Sequence, residues 1–163
     1  MKYYLKGGWA PRLGLAAAML VAIVAIAAIA RAKAPAFGAN TLWDDGKAEL
    51  SQYEGQTKRY GEMRPTQARI VIVKEDMLRD TWVKSEQGPI PGKTLEMLKV
   101  VFVAEFPTGS YFYRQAATTF LDRRSLEMVK ENMSHFDGCG ITYVRVGPKD
   151  GRTVHEAHSY WEG

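Results

Sequence analysis

The chain contains almost no cysteine, since Cys139 is the only one in 163 residues. A single thiol cannot close an intramolecular disulfide, and it also excludes a zinc site built from four cysteines. No cysteine follows the apolar segment near the N-terminus, so lipid attachment at a mature N-terminal cysteine is excluded as well. Structural disulfides and lipoprotein processing are therefore not expected of this chain.

Motifs that bind phosphate or activate a nucleophile are also missing. No glycine-rich loop follows a strand and opens a helix, because Gly7 and Gly8 precede the apolar segment and the other glycines fall in predicted turns. The serine elbow of hydrolases is absent. His155 and His158 are three residues apart, whereas zinc proteases need four on a helix, and on a strand an odd spacing directs the rings to opposite faces. We therefore predict no metal and no cofactor.

Acidic residues are absent from the N-terminal part of the chain. The whole chain has 22 Lys and Arg against 18 Asp and Glu, a formal charge of +4, which by itself would favour a nucleic-acid partner. Five of the basic residues precede residue 37: Lys2, Lys6, Arg12, Arg31 and Lys33. Taking these five from 22 leaves 17 basic against 18 acidic residues, a charge of −1. The excess positive charge thus flanks the apolar segment, and we expect no nucleic-acid binding.

An apolar segment without a charge runs from Leu13 to Ala30, and three basic residues precede it. This order is typical of a signal peptide, but the segment is also close to the length of a membrane-spanning helix. Two alternatives stay open for residues 1–36: a cleaved signal peptide, or an anchor that enters the membrane through residues 13–30. Both place the domain outside the cytoplasm. We expect an exported, periplasmic or extracytoplasmic protein, either released or anchored in the inner membrane.

After a linker at residues 37–42, residues 43–163 are predicted to form a single β-rich domain. Strands are expected near residues 47–53, 69–74, 80–85, 95–106, 110–121, 141–146 and 153–160, because β-branched and aromatic runs alternate there with turn signals. Residues 122–136 fit either a helix or a strand. This spacing predicts seven or eight strands in a mainly β fold. We expect an antiparallel curved sheet, a barrel or half-barrel, preceded by an N-terminal hydrophobic helix.

Seven stretches after residue 42 carry a family resemblance. They are WDDGKAEL with Tyr53 (43–53), RYGEMR (59–64), IVIVKEDM (70–77), Val83-Lys84, FPTGSYFY (106–113), CGITYV (139–144) and HSYWEG (158–163). In them the chain resembles an uncharacterised exported bacterial family that often carries the name septum formation inhibitor Maf. Family members are longer, which implies that this chain is truncated at its C-terminus. True Maf proteins are cytosolic nucleotide pyrophosphatases with a Ser-Pro-Arg-Arg signature that is absent here, so the resemblance implies an exported β protein and no reaction.

Four tyrosines, one glutamate and one histidine are the candidate ligand-binding residues. They are Tyr53, Tyr60, Glu62, Tyr111, Tyr113 and His158. Tyrosines on strands can line an amphipathic cavity, although they more often fill a core or pair across strands. Charged residues within the strand-like runs, among them Arg59 and Lys99, could likewise face a barrel interior, but a solvated outer face is favoured for them.

No catalytic residue is predicted, and two functions stay open. The favoured hypothesis is a noncatalytic envelope protein that binds an apolar or amphipathic, lipid-like ligand or an envelope protein. The alternative is an extracytoplasmic hydrolase that uses carboxylates such as Glu62 and Asp76 with a histidine near the C-terminus. Cys139 could act as a nucleophile with His135 or His158 as base, but a buried, packed cysteine is favoured. A cleft that joins Glu62, His158 and Cys139 would support the hydrolase.

Overall fold

The computed structural model describes residues 37–160 and residue 162. Two short 3₁₀ helices, Phe37–Ala39 and Thr41–Asp44, precede seven strands. The strands are β1 Glu49–Arg59, β2 Glu62–Leu78, β3 Thr94–Pro107, β4 Phe112–Asp122, β5 Met128–Phe136, β6 Ile141–Lys149 and β7 Arg152–His158. This described part of the chain contains no α-helix.

All seven strands form one sheet, in which each strand pairs antiparallel with the next along the chain. The prediction of a mainly β, antiparallel fold is therefore confirmed. The alternative of a closed barrel is wrong for the described residues, because β1 and β7 form the two edges of the sheet and do not pair. The predicted N-terminal hydrophobic helix lies outside the described residues. Within those residues, no helix has the length and apolar character needed to cross a bilayer.

Two hairpins turn on only two residues, both with left-handed backbone. Tyr60 and Gly61 join β1 to β2 with φ of 54° and 80°, and Asp150 and Gly151 join β6 to β7 with φ of 52° and 73°. Positive φ at both positions is the type I′ geometry, whose twist matches that of the paired strands. Glycine adopts the second position at little cost. In the first hairpin, this turn brings Tyr60 to one end of the sheet.

The predicted strand at residues 80–85 is wrong. These residues belong to the long connection 79–93 between β2 and β3, where Lys84 forms only an isolated bridge to Met77. Trp82 has a φ of 56°, and its amide donates to the carbonyl of Leu78 at 2.9 Å, as in a turn. Thr, Trp and Val have high strand propensity, but propensity forms a strand only where a neighbouring strand supplies a ladder. Here Trp82 packs against the core instead.

Residues 122–136 form a turn followed by a strand, which resolves the alternatives left open by the sequence. The side chain of Asp122 closes the turn, since its Oδ1 accepts the amides of Arg124 at 2.8 Å and Ser125 at 2.9 Å. The following strand, β5, pairs with β4 on one side and β6 on the other. These two neighbours complete its hydrogen bonds, and they decide between helix and strand where the apolar spacing does not.

The strand register gives the sheet two faces of different character, because directly opposed residues on neighbouring strands share a face. One face carries the ion pairs Lys99–Glu75, Arg114–Glu105 and Arg145–Glu156, and we call it the charged face. The other, which we call the apolar face, has a central row without a charged side chain. This row, the apolar strip, consists of Ile70, Phe102, Ala117, Met133 and Val144 on strands β2 to β6.

The connections distinguish the two ends of the sheet. The turns after β1, β3 and β5 lie at one end, which we call the tyrosine end because Tyr60, Tyr111 and Tyr113 lie there. The connections after β2, β4 and β6 lie at the other end, which we call the Arg123 end. Side chains at opposite ends of the long central strands are therefore too far apart to act on one small molecule's reacting atoms.

One cluster of buried apolar residues lies on the charged face near the Arg123 end. Met77, Met97 and Phe120 pack together there and are 1%, 0% and 9% exposed. Trp82, from the connection between β2 and β3, packs against them. Within the described residues no second sheet or α-helix covers the rest of either face. The apolar strip thus lies on a part of the sheet that is one layer thick.

Candidate functional site

The first feature of the candidate site is the apolar strip, whose central side chains remain open to solvent. Phe102 is 37% exposed and Met133 is 39% exposed, although large apolar side chains are usually covered in a folded protein. The next row towards the tyrosine end also has no Asp, Glu, Lys or Arg. It includes Gln115, His135 and Thr142, and together the two rows line an open groove.

The second feature is Tyr113, which is completely buried and lies on the same face of β4 as Gln115, closer to the tyrosine end. Its ring stacks on that of Phe106, with 5.2 Å between the ring centroids and an angle of 6°. The ring of His135, which lines the groove, lies 5.4 Å away. The hydroxyl of Tyr60 is hydrogen-bonded to that of Tyr113, with 2.5 Å between the oxygens. His135 therefore connects the groove with the tyrosines.

The third feature is the guanidinium of Arg59. Its Cζ lies 4.7 Å from the ring centre of Tyr60 and 5.1 Å from that of Tyr113, within the range of cation–π attraction. No carboxylate in the described part of the chain pairs with Arg59, and its buried Nε has no hydrogen-bond acceptor. Hydrogen bonding with Tyr113 raises the pKa of Arg59 and that of Tyr60. At neutral pH the guanidinium is therefore charged, and the Tyr60 phenol is neutral.

Tyr111 and Cys139 extend this group towards the turn between β5 and β6. The Tyr111 hydroxyl lies 3.2 Å from Cys139 Sγ, and this contact raises the pKa of the phenol. The buried Asp137 holds the turn, since its Oδ1 accepts the amides of Cys139 and Gly140, both at 3.0 Å. Cys139 is exposed, so the expectation of a buried cysteine is wrong. The turn directs its side chain outwards instead of into a packed core.

Three of the six predicted ligand-binding residues come together in the structure. Tyr60 reaches Tyr113 from the first turn, and the ring of Tyr111 lies 5.8 Å from that of Tyr113. Tyr53 lies on the apolar face of the edge strand β1 and is 54% exposed. The register places it in the same cross-strand row as His135.

Of the other two predicted ligand-binding residues, Glu62 lies directly opposite Arg59 across the first hairpin, and only His158 lies apart from this group. Glu62 follows the first turn, and its carboxylate pairs with Arg64 at 2.8 Å. His158 lies opposite Tyr143 near the end of β7, and the register puts both on the charged face. His158 and the groove are therefore on opposite faces of the sheet.

The residues named for a hydrolase do not converge. Glu62 and Asp76 lie near opposite ends of β2, fourteen residues and thus about 45 Å apart. His158 is on the other face from Glu62. In the part of the chain that the structure describes, no group of three His, Cys, Asp or Glu side chains is placed to hold a metal ion.

Two residues that contact Tyr113, Arg59 and Phe106, were not predicted as ligand-binding residues. Arg59 was expected on a solvated face, but it is half-buried against two aromatic rings. Phe106 was expected only as part of a strand, and it supports the buried ring of Tyr113. The available signal for Arg59 is its place directly before the Tyr-Gly turn, which puts it at the end of a hairpin. Its contact with β4 extends across the intervening strands and has no local signal.

The Arg123 end of the same face holds a different charged group. Arg123 is buried and donates to both carboxylate oxygens of Asp44, each at 2.8 Å, to Glu96 at 3.3 Å and to the carbonyl of Gly38 at 2.6 Å. Lys74 also pairs with Asp44, at 2.7 Å. These bonds fasten the second 3₁₀ helix to the sheet. Arg123, followed by Lys74, holds the pKa of the Asp44 carboxyl well below its usual range.

No family model, curated protein or solved structure matches the chain. Its function is therefore inferred from the residues of the site. The site consists of an uncharged, open groove and, towards the tyrosine end, the Arg59 guanidinium, which has no acidic partner among the described residues. A groove of this kind can hold apolar surface, and a guanidinium can hold a polar or anionic group.

Proposed function

We propose that the chain is an exported cell-envelope protein whose apolar face binds an apolar or amphipathic, lipid-like ligand without converting it. The observation that carries the proposal is the apolar strip, which exposes Phe102 and Met133 where the described sheet is one layer thick. Continuous exposed apolar surface is typical of an interaction site, whereas single exposed apolar residues are common on any protein. On the opposite face the central rows carry Arg69 and the ion pair Arg145–Glu156, which makes them less suited to such a ligand.

Covering the apolar strip lowers the free energy of the system. A large apolar side chain contributes about 1.5–3 kcal/mol when it passes from full exposure to full burial. Phe102 and Met133 keep 37% and 39% of that exposure, so covering these two contributes about 1–2 kcal/mol. Because binding also restricts the motion of the ligand, a useful affinity requires contact with the rest of the strip. A ligand with an extended apolar part meets this requirement.

Contacts across the apolar face support a curved sheet. Arg59 on β1 lies over the ring of Tyr113 on β4, although β2 and β3 lie between these strands. In a flat sheet, strands three places apart are separated by about 14 Å. The sheet is therefore proposed to curl towards its apolar face at the tyrosine end, as a half-barrel that partly shelters the groove.

Export is proposed from the N-terminal segment. Residues 13–30 are apolar and follow basic residues, as in a signal peptide or an inner-membrane anchor. The resemblance to an exported family supports the same compartment. In the envelope, the domain would lie close to membrane lipids, which are a source of amphipathic ligands.

A pair of substitutions on β5 tests the proposed ligand binding. Met133→Glu places a charge in the apolar strip, whereas Asn132→Glu places the same charge next to it on the charged face. Each full chain is purified from the envelope of the source cell in a mild nonionic detergent, and native mass spectrometry measures the mass that it retains. We expect the native chain and Asn132→Glu to retain a lipid-like molecule, and Met133→Glu to retain about tenfold less, because binding would bury a charge.

An empty native chain, or equal retention by Met133→Glu, would contradict ligand binding at the strip. Thermal unfolding of both variants shows whether the fold persists. Since both carry the same added charge on neighbouring positions, a difference between them reports the face and not the charge itself.

A reporter fusion tests the compartment separately. An enzyme that is active only outside the cytoplasm is joined after residue 40, downstream of the apolar segment. We expect activity with the native segment and its loss when Arg residues replace two of the central alanines, because charge makes insertion unfavourable. Activity that is independent of the segment, or absent in the native fusion, would rule out export by residues 13–30.

A further inference from the structure

We infer that the ligand carries an anionic headgroup, a carboxylate or a phosphate, which Arg59 binds at the tyrosine end while the apolar part of the ligand lies on the apolar strip. The inference rests on the proposed function and adds the chemical class of the ligand. It follows from the lack of a carboxylate paired with Arg59 in the described residues, from the donors beside Arg59, and from the uncharged residues between Arg59 and the strip.

Arg59 differs from the other arginines that are at least half-buried in the described part of the chain. Each of those pairs with a carboxylate: Arg64 with Glu62, Arg123 with Asp44, and Arg145 with Glu156. Arg59 contacts two aromatic rings instead, because Glu62, directly opposite it across the first hairpin, pairs with Arg64. Partial burial takes water away from a charge, so a guanidinium in such a place is stabilised by an anion. A bound carboxylate or phosphate supplies the missing partner.

The surroundings of Arg59 are suited to an anion. The rings of Tyr60 and Tyr113 hold the guanidinium in place before a ligand arrives, which reduces the entropy lost on binding. The Nε–H of Arg59 has no acceptor within the described part of the chain. The hydroxyls of Tyr60 and Tyr113 share one hydrogen bond, so the hydroxyl that accepts it still has its own proton to donate. Carboxylate and phosphate oxygens accept from both kinds of donor.

A path leads from the strip to this guanidinium. Ala117 in the strip and Tyr113 beneath Arg59 lie on the same face of β4, four residues and thus about 13 Å apart. Gln115 and His135 lie between them on the same face, and neither carries a fixed charge. His135 Nε2 is buried, has no partner among the residues that the structure describes, and provides another polar atom beside Tyr113. A ligand whose apolar part is about 13 Å or longer covers the strip while its headgroup reaches Arg59.

Probes that share one long alkyl chain and differ only in headgroup test the inference. The full chain is placed in phosphatidylcholine nanodiscs and exposed to probes with a photoreactive chain end and a carboxylate, phosphate, alcohol or ammonium headgroup. Mass spectrometry measures the label on the peptides of the apolar strip, relative to the label on the nanodisc scaffold protein. We expect the two anionic probes to label the strip about tenfold more than the alcohol or the ammonium probe.

Substitutions of Arg59 show whether this residue sets the preference. Arg59→Gln should reduce labelling by the anionic probes about tenfold and leave the alcohol probe unchanged. Arg59→Lys should keep most of the anionic labelling, whereas Arg59→Glu should turn the preference towards ammonium. A reversed preference cannot result from a loss of folding. Arg69→Gln, at an exposed arginine on the charged face, is the control and should change nothing.

The outcomes separate this inference from the proposed function. Equal labelling of the strip by all four headgroups, or a native preference for ammonium, would overturn the anionic headgroup and leave apolar binding intact. Failure of every probe to label the strip would overturn both. A difference between the carboxylate and phosphate probes identifies whether the headgroup is of the fatty-acid or the phospholipid type, and either preference supports the inference.

Discussion

Arg123 and Arg59 lie at opposite ends of the same sheet face, and their surroundings differ in one main respect. Arg123 is buried among carboxylates, with Asp44 at 2.8 Å and Glu96 at 3.3 Å. Arg59 is half-buried among aromatic rings, and no carboxylate in the described residues pairs with it. The first guanidinium joins one part of the chain to another. The Arg59 guanidinium has an N–H donor without an acceptor among the described residues, and such a donor can bind a molecule from outside.

The two arginines also differ in what their removal leaves behind. Without Arg123, the Asp44 carboxylate and the Gly38 carbonyl lose a hydrogen-bond donor that is distant from them in sequence. Without Arg59, the rings of Tyr60 and Tyr113 still contact each other, and so do their hydroxyls. Removal of Arg123 should therefore lower stability, whereas removal of Arg59 should weaken ligand binding and leave the fold stable.

The largest effect is expected from Arg123→Met. This change should lower the free energy of unfolding by about 2–3 kcal/mol, because it leaves the Gly38 carbonyl without its charged donor and the Asp44 carboxylate with Lys74 alone. Urea unfolding of the full chain in nonionic detergent, followed by tryptophan fluorescence, measures the loss. The control is Arg124→Met, an exposed neighbour, which should change the free energy by less than about 0.5 kcal/mol. Similar losses in the two variants would show that Arg123 has no special structural role.

A smaller effect is expected from acid. Arg123 lowers the pKa of Asp44 below its ordinary value of 3.8 in the folded chain. The stability that this pairing contributes is therefore fully present above that value, and it is lost as the pH falls towards the lowered folded pKa. Urea midpoints at neutral pH and near pH 3 measure the loss, which should be reduced in Asp44→Asn but not in Glu54→Gln, an exposed position on β1. Identical acid sensitivity in Asp44→Asn and the native chain would contradict the pairing.

The smallest effect on stability is expected from Arg59→Gln. In the chain without ligand, the free energy of unfolding should change by less than about 1 kcal/mol, because lost cation–π contacts are offset by the removal of a charge that has no counter-charge. The same urea experiment measures it, with the paired Arg145→Gln for comparison. A loss as large as that of Arg123→Met would make Arg59 a structural residue and remove the contrast between the two ends.

Part of the fold could be predicted because its signals are local. The run from Met97 to Ala104, apolar apart from Lys99, lies within β3, and most of the aromatic and threonine-rich run at residues 110–121 lies within β4. The segment at residues 80–85 has equally good strand formers but no free strand beside it, so it forms a turn. Whether a segment of high propensity becomes a strand depends on its neighbours in space, which the segment itself does not encode.

The candidate site could be predicted only in part. The tyrosines at positions 60, 111 and 113 could be named, because tyrosines on strands can line an amphipathic cavity. The contact of Arg59 with Tyr113 could not be predicted, because the two residues lie on different strands. Tyr60, the neighbour of Arg59, is 53 residues from Tyr113 in sequence. The predicted His158 lies on the opposite face, because the register of β6 and β7 decides which side each residue takes. A register shift by one residue would reverse that placement.

The sequence by itself determined that this chain is mainly β, where most of its turns lie, and that its excess of positive over negative charge lies around one apolar segment. These properties depend on residue type and short-range spacing. Only the tertiary structure decided that the sheet is open in its described part, that one face carries an uncharged strip, and that Arg123 has acidic partners while Arg59 has none among the described residues. Arg123 finds Asp44 79 residues away along the chain, and such a partner exists only once the strands have assembled in register.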